Sequence, residues 1–192
     1  MGILRLRNYV LPIIAALILP VTTYIIVFHT DILTNIYMNN QPIAEASLTH
    51  YRILKAKDKL PPKVNQMLEE NEYKIYVLDE IDDNEYILGQ TIYGLRIILI
   101  KDTYFDIERT FYHECGHVID DESAFTYASS SNEFMEIYNE EKYLFKSDGY
   151  IEYYISTPRE YFASAFAEYM LNPQRLKENT PKTYDYIDKH VK

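Results

Sequence analysis

Two histidines four residues apart, His113 and His117, place the strongest constraint on how this chain can fold. They lie in the run Phe-Tyr-His-Glu-Cys-Gly-His-Val-Ile-Asp-Asp at residues 111–121. On a helix, side chains four residues apart project from one face, so both imidazoles could bind one metal ion, whereas in a strand they would not converge. The sequence therefore predicts a helix here, begun by a capping box of Thr103 and Asp106.

Glu114 directly follows the first histidine and is placed to take a proton from a metal-bound water rather than to bind the metal. A catalytic zinc ion typically has three protein ligands and a water, so His113 and His117 need one more donor. Glu160 is the best candidate. It lies in a helix predicted after Thr157-Pro158, on a face that continues through Ala163, Ser164 and Ala167, small residues that would let this helix pack closely against the histidine helix.

Glu168 is the second candidate for the third ligand. It lies two turns after Glu160 on roughly the same side of the helix predicted over residues 159–171. Four other glutamates are expected on a solvated helix face: Glu133, Glu136, Glu140 and Glu141.

The N-terminal 30 residues predict a membrane segment. From Asn8 to Thr30 there is no Asp, Glu, Lys or Arg, and a helix needs about 20 apolar residues to cross a bilayer. We expect an uncleaved signal-anchor helix in residues 1–30, with Arg5 and Arg7 in the cytoplasm, a tether over 31–42 and the remainder outside the cell. The alternative is a signal peptide that is removed on secretion.

Residues 43–192 are expected to form one α+β domain. Strands are predicted at Lys74–Leu78 and at 91–101, and the chain after residue 102 is almost entirely helical, which is typical of a small mixed sheet joined to a helical part. The 91–101 strand is expected at the edge of a cleft, where a peptide could pair with it and where Tyr93 and Arg96 would flank the groove.

Charge and cysteine content exclude two classes of protein. The chain has 19 Lys and Arg against 29 Asp and Glu, a formal net charge of -10, which would repel a phosphate backbone, so no nucleic-acid partner is expected. It has one cysteine, which excludes an intrachain disulfide framework. That residue, Cys115, would point away from the metal and is expected to be a small buried hydrophobe.

The run at 111–121, followed by Arg-Glu-Tyr-Phe-Ala-Ser-Ala-Phe from residue 159 and Thr-Pro-Lys-Thr-Tyr from residue 180, resembles the catalytic domain of anthrax lethal factor. Secreted Pro-Pro endopeptidases share that domain type. The resemblance covers residues 72–190 and implies a zincin-like, gluzincin-type metallopeptidase domain.

The resemblance also implies roles for individual residues. It assigns His113, His117 and Glu160 as ligands of Zn²⁺ and Glu114 as the general base. It assigns Tyr153, seven residues before the third ligand, as the phenol that stabilises the oxyanion. Tyr154 is the neighbouring alternative for that role, and Ser164 stands where lethal factor has a glutamate beside the site.

The sequence thus predicts a membrane-anchored extracellular zinc endopeptidase that acts on a peptide or protein substrate. Two alternatives are a zinc-bound interaction module with weakened catalysis, for which a serine at position 164 is the argument, and a toxin-like protease released by cleavage in the tether. Neither the cleavage preference nor the oligomeric state is predicted.

Overall fold

The computed structural model of the protein describes residues 48–81, 86–103, 105–122 and 127–192. The predicted membrane segment and tether lie outside these residues. Within the described ranges, no helix is both long enough and apolar enough to cross a membrane.

Two short helices open the described chain: α1 (Leu48–Lys57) and α2 (Pro62–Glu70). Proline suits the first turn of α2, because its missing N–H would have no partner inside the helix. Each helix buries its apolar side, with Ile53 from α1 and Val64 and Leu68 from α2 in the core.

The sheet in the described residues has three strands: β1 (Lys74–Leu78), β2 (Gly89–Ile92) and β3 (Ile97–Lys101). Strand β3 lies in the centre, parallel to β1 and antiparallel to β2. Its residues Ile98, Leu99 and Ile100 are fully buried, as expected for a central strand covered on both faces. Strand β2 is an edge strand.

The single strand predicted over 91–101 is wrong, because the chain reverses within it. A 3₁₀ turn at Tyr93–Leu95 ends β2, and Arg96 adopts a left-handed conformation with φ 56° before β3 begins. The Arg96 side chain forms an ion pair with Glu122 and lies over the Tyr73 ring. The apolar run therefore belongs to two antiparallel strands, and only the first of them forms an edge.

The remainder of the described chain is helical, and the α+β expectation is confirmed. The helices are α3 (Ile107–Asp121), α4 (Asn132–Glu141), α5 (Ile151–Tyr154), α6 (Pro158–Leu171), α7 (Pro173–Asn179) and α8 (Pro181–Val191).

Helix α3 is the predicted histidine helix and is buried on nearly every side, from Phe111 through Asp120. The predicted capping box is wrong: Asp106 precedes the helix with φ 53° and makes no side-chain cap, while the Thr103 hydroxyl donates to the Phe105 carbonyl. Packing against the sheet, α1 and α6 therefore stabilises this helix more than its cap does.

Helices α3 and α6 pack antiparallel, since Arg109 near the start of α3 pairs with Glu168 on α6 and His117 further along α3 faces Glu160 at the start of α6. Their backbones come close at Gly116, where an added Cβ would lie 2.6 Å from the Ala163 Cα. Ala163 and Ala167 are also fully or almost fully buried. Small residues thus bring the two backbones close together, as the composition of the 159–171 helix predicted.

Glu141 corrects one of the surface predictions. It is buried, and its carboxylate accepts hydrogen bonds from the Thr183 amide at 2.9 Å and the Thr183 hydroxyl at 2.8 Å. It also accepts from the Lys182 amide at 3.1 Å. Glu141 therefore satisfies the free N–H groups at the start of α8, where the helix dipole favours a negative charge. The other three glutamates, Glu133, Glu136 and Glu140, are exposed as predicted.

Candidate metal centre

Three predicted metal ligands lie side by side between α3 and α6. The Oε2 atom of Glu160 lies 3.1 Å from His113 Nε2 and 3.6 Å from His117 Nε2. One ligand atom from each of these three side chains lies within 4.8 Å of the other two. The spacing of four on α3 and the first turn of α6 thus bring two imidazoles and one carboxylate to a common point.

Local structure fixes the position of the carboxylate. Thr157 caps α6, and its hydroxyl accepts a hydrogen bond from the Glu160 amide at 3.1 Å. Pro158 follows in the first helical turn, where its fixed φ suits the helix. Glu160 therefore leaves the helix at a defined place opposite His113.

Ser164 fixes one of the imidazoles. Its hydroxyl lies 3.1 Å from His113 Nδ1, and both groups are buried. When the serine oxygen accepts a hydrogen bond from Nδ1–H, Nε2 is the nitrogen left to bind a metal ion. A serine at this position therefore supports the ring orientation that a metal ligand needs, although it adds no charge.

The three groups also perturb one another electrostatically. Burial alone would raise the pKa of Glu160, but hydrogen bonds with His113 and His117 outweigh it and hold that pKa well below its ordinary value. Burial would lower the pKa of His117, but Glu160 and Glu114 outweigh it and raise that pKa. The pocket thus keeps the Glu160 carboxylate ionised and favours a positive charge beside it.

The donor set fits a zinc ion. Two imidazole nitrogens and one carboxylate oxygen are a ligand combination that catalytic zinc uses, with the fourth position left for water or substrate. Cys115 is fully buried and is not part of the cluster, so the thiol is a core residue, as predicted.

Glu114, the predicted general base, lies beside this cluster and is 4% exposed. The Thr91 hydroxyl on β2 donates to Glu114 Oε2 at 2.8 Å. Two residues earlier on the same strand, an added Cβ on Gly89 would lie 2.7 Å from Glu114 Oε1. Strand β2 therefore contacts both oxygens of the Glu114 carboxylate, one through the Thr91 hydroxyl and the other at Gly89.

A cleft of about 770 Å³ opens in front of His113 and Glu114. Its lining is mostly apolar and aromatic. It includes Leu88 and four tyrosines, Tyr86, Tyr150, Tyr153 and Tyr154, and two charged residues besides Glu114, namely Asp106 and Arg109. Neither Tyr93 nor Arg96 is among the described residues that line it. Instead, Tyr93 packs against the Arg159 guanidinium at 4.5 Å, and Arg96 is directed to Glu122.

Both candidate tyrosines approach the centre. The rings of Tyr153 and Tyr154 lie 6.2 Å and 6.0 Å from the His113 ring. Only Tyr153 interacts with the Glu160 carboxylate; burial, and then Glu160, raise its pKa, so its phenol stays protonated. The pKa of Tyr154 is also raised by burial, while Arg109 lowers it. Of the two tyrosines, Tyr153 is therefore the one whose phenol is electrostatically coupled to the Glu160 carboxylate.

Glu168, the second candidate ligand, is not part of the cluster. It is fully buried two turns along α6, where it pairs with Arg109 at 3.0 Å and Arg175 at 2.6 Å. Both cations come from other helices, so the sequence carried no local sign of them. Glu160 is the carboxylate of α6 that faces the histidines.

Comparison with known proteins identifies the family to which the chain belongs. The family profile of anthrax toxin lethal factor, N- and C-terminal domain, matches residues 82–190, more than half of the chain. The protein has a mixed α+β fold with two histidines and a carboxylate between its central helices. It belongs to the anthrax toxin lethal factor family, which confirms the resemblance found in the sequence.

Two comparisons relate the chain to Pro-Pro endopeptidases. A protein of that name from Paenibacillus alvei is 35% identical over 81 residues, which are 40% of this chain and 36% of the relative, so the match spans about a third of the relative's length. The solved structure of the Pro-Pro endopeptidase PPEP-2 from Paenibacillus alvei has a TM-score of 0.56 and 24% identity, covering 72% of this chain and 87% of the other. The latter likeness extends to the fold alone.

Proposed function

We propose that this protein is a zinc-dependent endopeptidase. The observation that carries the proposal is the convergence of His113, His117 and Glu160 on one point, with the Glu114 carboxylate beside them at the mouth of an open cleft. The printed name of its relative from Paenibacillus alvei, Pro-Pro endopeptidase, supports the same reaction class.

His113, His117 and Glu160 would hold the metal. When bound, zinc supplies a Lewis acid that polarises a carbonyl and lowers the pKa of a water molecule. Glu114 takes the proton from the attacking water and delivers it to the leaving amine. Thr91 holds that carboxylate through a hydrogen bond of 2.8 Å, so the base needs little reorientation during the reaction.

Tyr153 is the proposed donor to the oxyanion. Burial and the neighbouring carboxylates raise its pKa, so the phenol carries its proton at neutral pH and can donate it in a hydrogen bond. A donor aimed at developing negative charge lowers the barrier, and the loss of one such donor costs about 10²–10³ in kcat.

Strand β2 is the proposed binding edge for substrate. Among the described residues it pairs with β3 alone, and an extended peptide can add to such an edge through main-chain hydrogen bonds. The tyrosines across the cleft offer flat apolar faces for the side chains of that peptide. A Pro-Pro sequence, named in the relative, is the first motif to include among test substrates.

We also propose that the protein is anchored in the cell membrane by residues 1–30, with the catalytic domain outside. The support is the charge-free stretch from Asn8 to Thr30 and the two arginines before it. Intact-mass measurement on membrane fractions tests the anchor, since a secreted form would lack these residues.

The decisive experiment for the activity is cleavage profiling of a peptide library with the full-length chain and its E114Q variant. E114Q preserves size but removes the base, so cleavage by the wild type should fall by about 10²–10⁴-fold in the variant. E133Q, which changes an exposed glutamate on α4, serves as the matched control and should cleave like the wild type. Equal rates for E114Q and wild type would refute the mechanism. Zinc binding without any cleavage would favour the interaction module instead.

A further inference from the structure

The two central helices face each other through a ladder of polar side chains. On α3 these are Arg109, His113 and His117, each four residues after the last; on α6 the facing residues are Glu160, Ser164 and Glu168, also spaced by four. The histidines meet Glu160 and Ser164 at the metal centre. The remaining rung, Arg109 with Glu168, lies one turn away and has no part in the proposed chemistry.

This remaining rung is a buried ion cluster. The Glu168 side chain is 0% exposed and that of Arg109 is 8% exposed, with 3.0 Å between Arg109 Nη1 and Glu168 Oε2. Arg175 on α7 donates to the other carboxylate oxygen at 2.6 Å. A buried carboxylate is tolerated only when its oxygens are well paired. Glu168, Arg109 and Arg175 therefore hold one another in defined positions.

The cluster reaches out to the loop that precedes α5. Arg109 Nη1 donates to the Ser147 hydroxyl at 2.6 Å, and Ser147 donates to Glu168 at 3.2 Å. Both Nη atoms of Arg175 donate to the Asp148 carboxylate, at 2.7 Å and 2.8 Å. Ser147 and Asp148 are therefore tied to the helices by charged hydrogen bonds.

The tied loop leads directly into the segment that carries the cleft tyrosines. At Gly149 an added Cβ would lie 2.1 Å from the Tyr154 hydroxyl, so the loop packs against that side chain. Helix α5 has only four residues and no side-chain cap. Beyond it, the Tyr138 hydroxyl donates to the Ile155 carbonyl at 2.8 Å. So short an element depends on its two ends for its position.

We propose that Arg109, Glu168 and Arg175 are positioning residues that clamp Ser147 and Asp148 and thereby set the place of Tyr153 over the metal centre. Arg109 also lines the cleft, but none of the three belongs to the His113, His117 and Glu160 cluster; they act through the loop and α5. The expected loss of kcat rests on the proposed peptidase function. The expected loosening of the loop and α5 does not depend on any activity.

The test uses the full-length chain with the double variant S147A/D148N. The Asp148 side chain is 65% exposed, and the variant leaves the buried Arg109–Glu168 pair in place, so the fold should survive. A misplaced Tyr153 should lower kcat by roughly tenfold while KM stays within about twofold. E140Q is the matched control, because it also removes an exposed carboxylate paired with a cation, in this case Lys182 on α8.

A double-mutant cycle with Y153F separates the clamp from general damage. If the clamp acts through the Tyr153 hydroxyl, S147A/D148N should cause no further loss of kcat in the Y153F background. Losses that multiply in the combined variant would overturn the proposal.

Hydrogen exchange gives a readout that needs no activity. In S147A/D148N the amides of residues 154–156, which bond back to Tyr150, Ile151 and Tyr153, should exchange at least about tenfold faster, while those of α3 and α6 stay unchanged. Unchanged exchange at residues 154–156 would overturn the clamp. A wild type that cleaves no peptide would instead count against the proposed function and leave this measurement decisive.

Discussion

Helices α3 and α6 form one side of the candidate metal centre, and residues 86–89 together with Tyr150, Tyr153 and Tyr154 line the cleft in front of it. On the helical side, Phe111 and Ala163 are fully buried. On the cleft side, Tyr150 is 71% exposed and Tyr153 is 49% exposed. Groups that must keep fixed distances to a metal thus lie in the packed core, and groups that would meet a substrate lie where a peptide can reach them.

Gly116 on the helical side and Gly89 on the cleft side show the same difference between a packed core and an adaptable wall. An added Cβ at Gly116 on α3 would meet the backbone of Ala163, which cannot move without separating the helices. An added Cβ at Gly89 on β2 would meet the ends of the Glu114 and Thr110 side chains, which can move. Alanine should therefore damage stability at the first position and catalysis at the second.

Among the substitutions that test this contrast, the largest expected effect is that of G116A. Forcing a methyl group against the Ala163 backbone should lower the free energy of unfolding by about 2–3 kcal/mol, even after the better helix propensity of alanine is included. Urea denaturation measures this. G94A is the control, since an added Cβ at Gly94 meets nothing within 4 Å. An unchanged midpoint for G116A would show that the helices are not in close contact.

The next effect is that of G89A on catalysis. Displacing the Glu114 carboxylate by about 1 Å should lower kcat/KM by roughly a hundredfold, while the urea midpoint should stay close to that of the wild type. Steady-state kinetics on a peptide identified by cleavage profiling measures the first quantity. If G89A loses stability but keeps its activity, the predicted difference between Gly89 and Gly116 is wrong.

A smaller effect is expected for T91V, which replaces the hydroxyl that donates to Glu114 by a methyl group of similar size. A hydrogen bond to a charged group contributes about 1.5–3 kcal/mol, and at the lower end of that range its loss lowers kcat by about tenfold. T91S keeps the donor and should recover most of the rate. If T91S is as slow as T91V, shape rather than the hydrogen bond is the role of Thr91.

The smallest effect concerns the helical side alone. The Arg52 side chain hydrogen-bonds Glu108 in the first turn of α3, and this bond lowers the pKa of Glu108. Because the folded pKa is below the unfolded one, the stabilisation is complete above the unfolded pKa and is lost as pH falls through the folded pKa.

E108Q should therefore lower the free energy of unfolding at pH 7 by about 0.5–1 kcal/mol, as is usual for a partly exposed pair. The difference from wild type should shrink as the pH falls below about 4, the unfolded value for a glutamate. Urea denaturation at both pH values tests this, and a difference independent of pH would mean that the ion pair contributes nothing.

The parts of the fold that the sequence predicted are those set by local patterns. The spacing of His113 and His117 and the Thr157-Pro158 start of α6 both act within one or two turns of a helix. They made Glu160 the first candidate for the third ligand, while Glu168 stayed open as the second until the structure paired it with Arg109 and Arg175. The α+β class followed in the same way, from strand patterns that precede helical ones.

The parts that the sequence missed depend on partners far away in the chain. Thr91 bonds Glu114 23 residues later, and Glu141 satisfies amides 41 and 42 residues later. Only the assembled core brings such groups together, so no local pattern indicates them. The reversal at Arg96 is different, because Gly94 and Arg96 interrupt the apolar run at the turn and were outweighed by the apolar residues on both sides.

The most direct test of the account is the zinc content of the full-length chain after equilibration with micromolar zinc and removal of the unbound metal. The account predicts about one zinc ion per wild-type chain, as for a site with three protein ligands. E133Q should hold the same amount, and E160Q should hold much less. Equal zinc in E160Q and wild type, or no zinc in the wild type, would contradict the claim that α3 and α6 together build a metal centre.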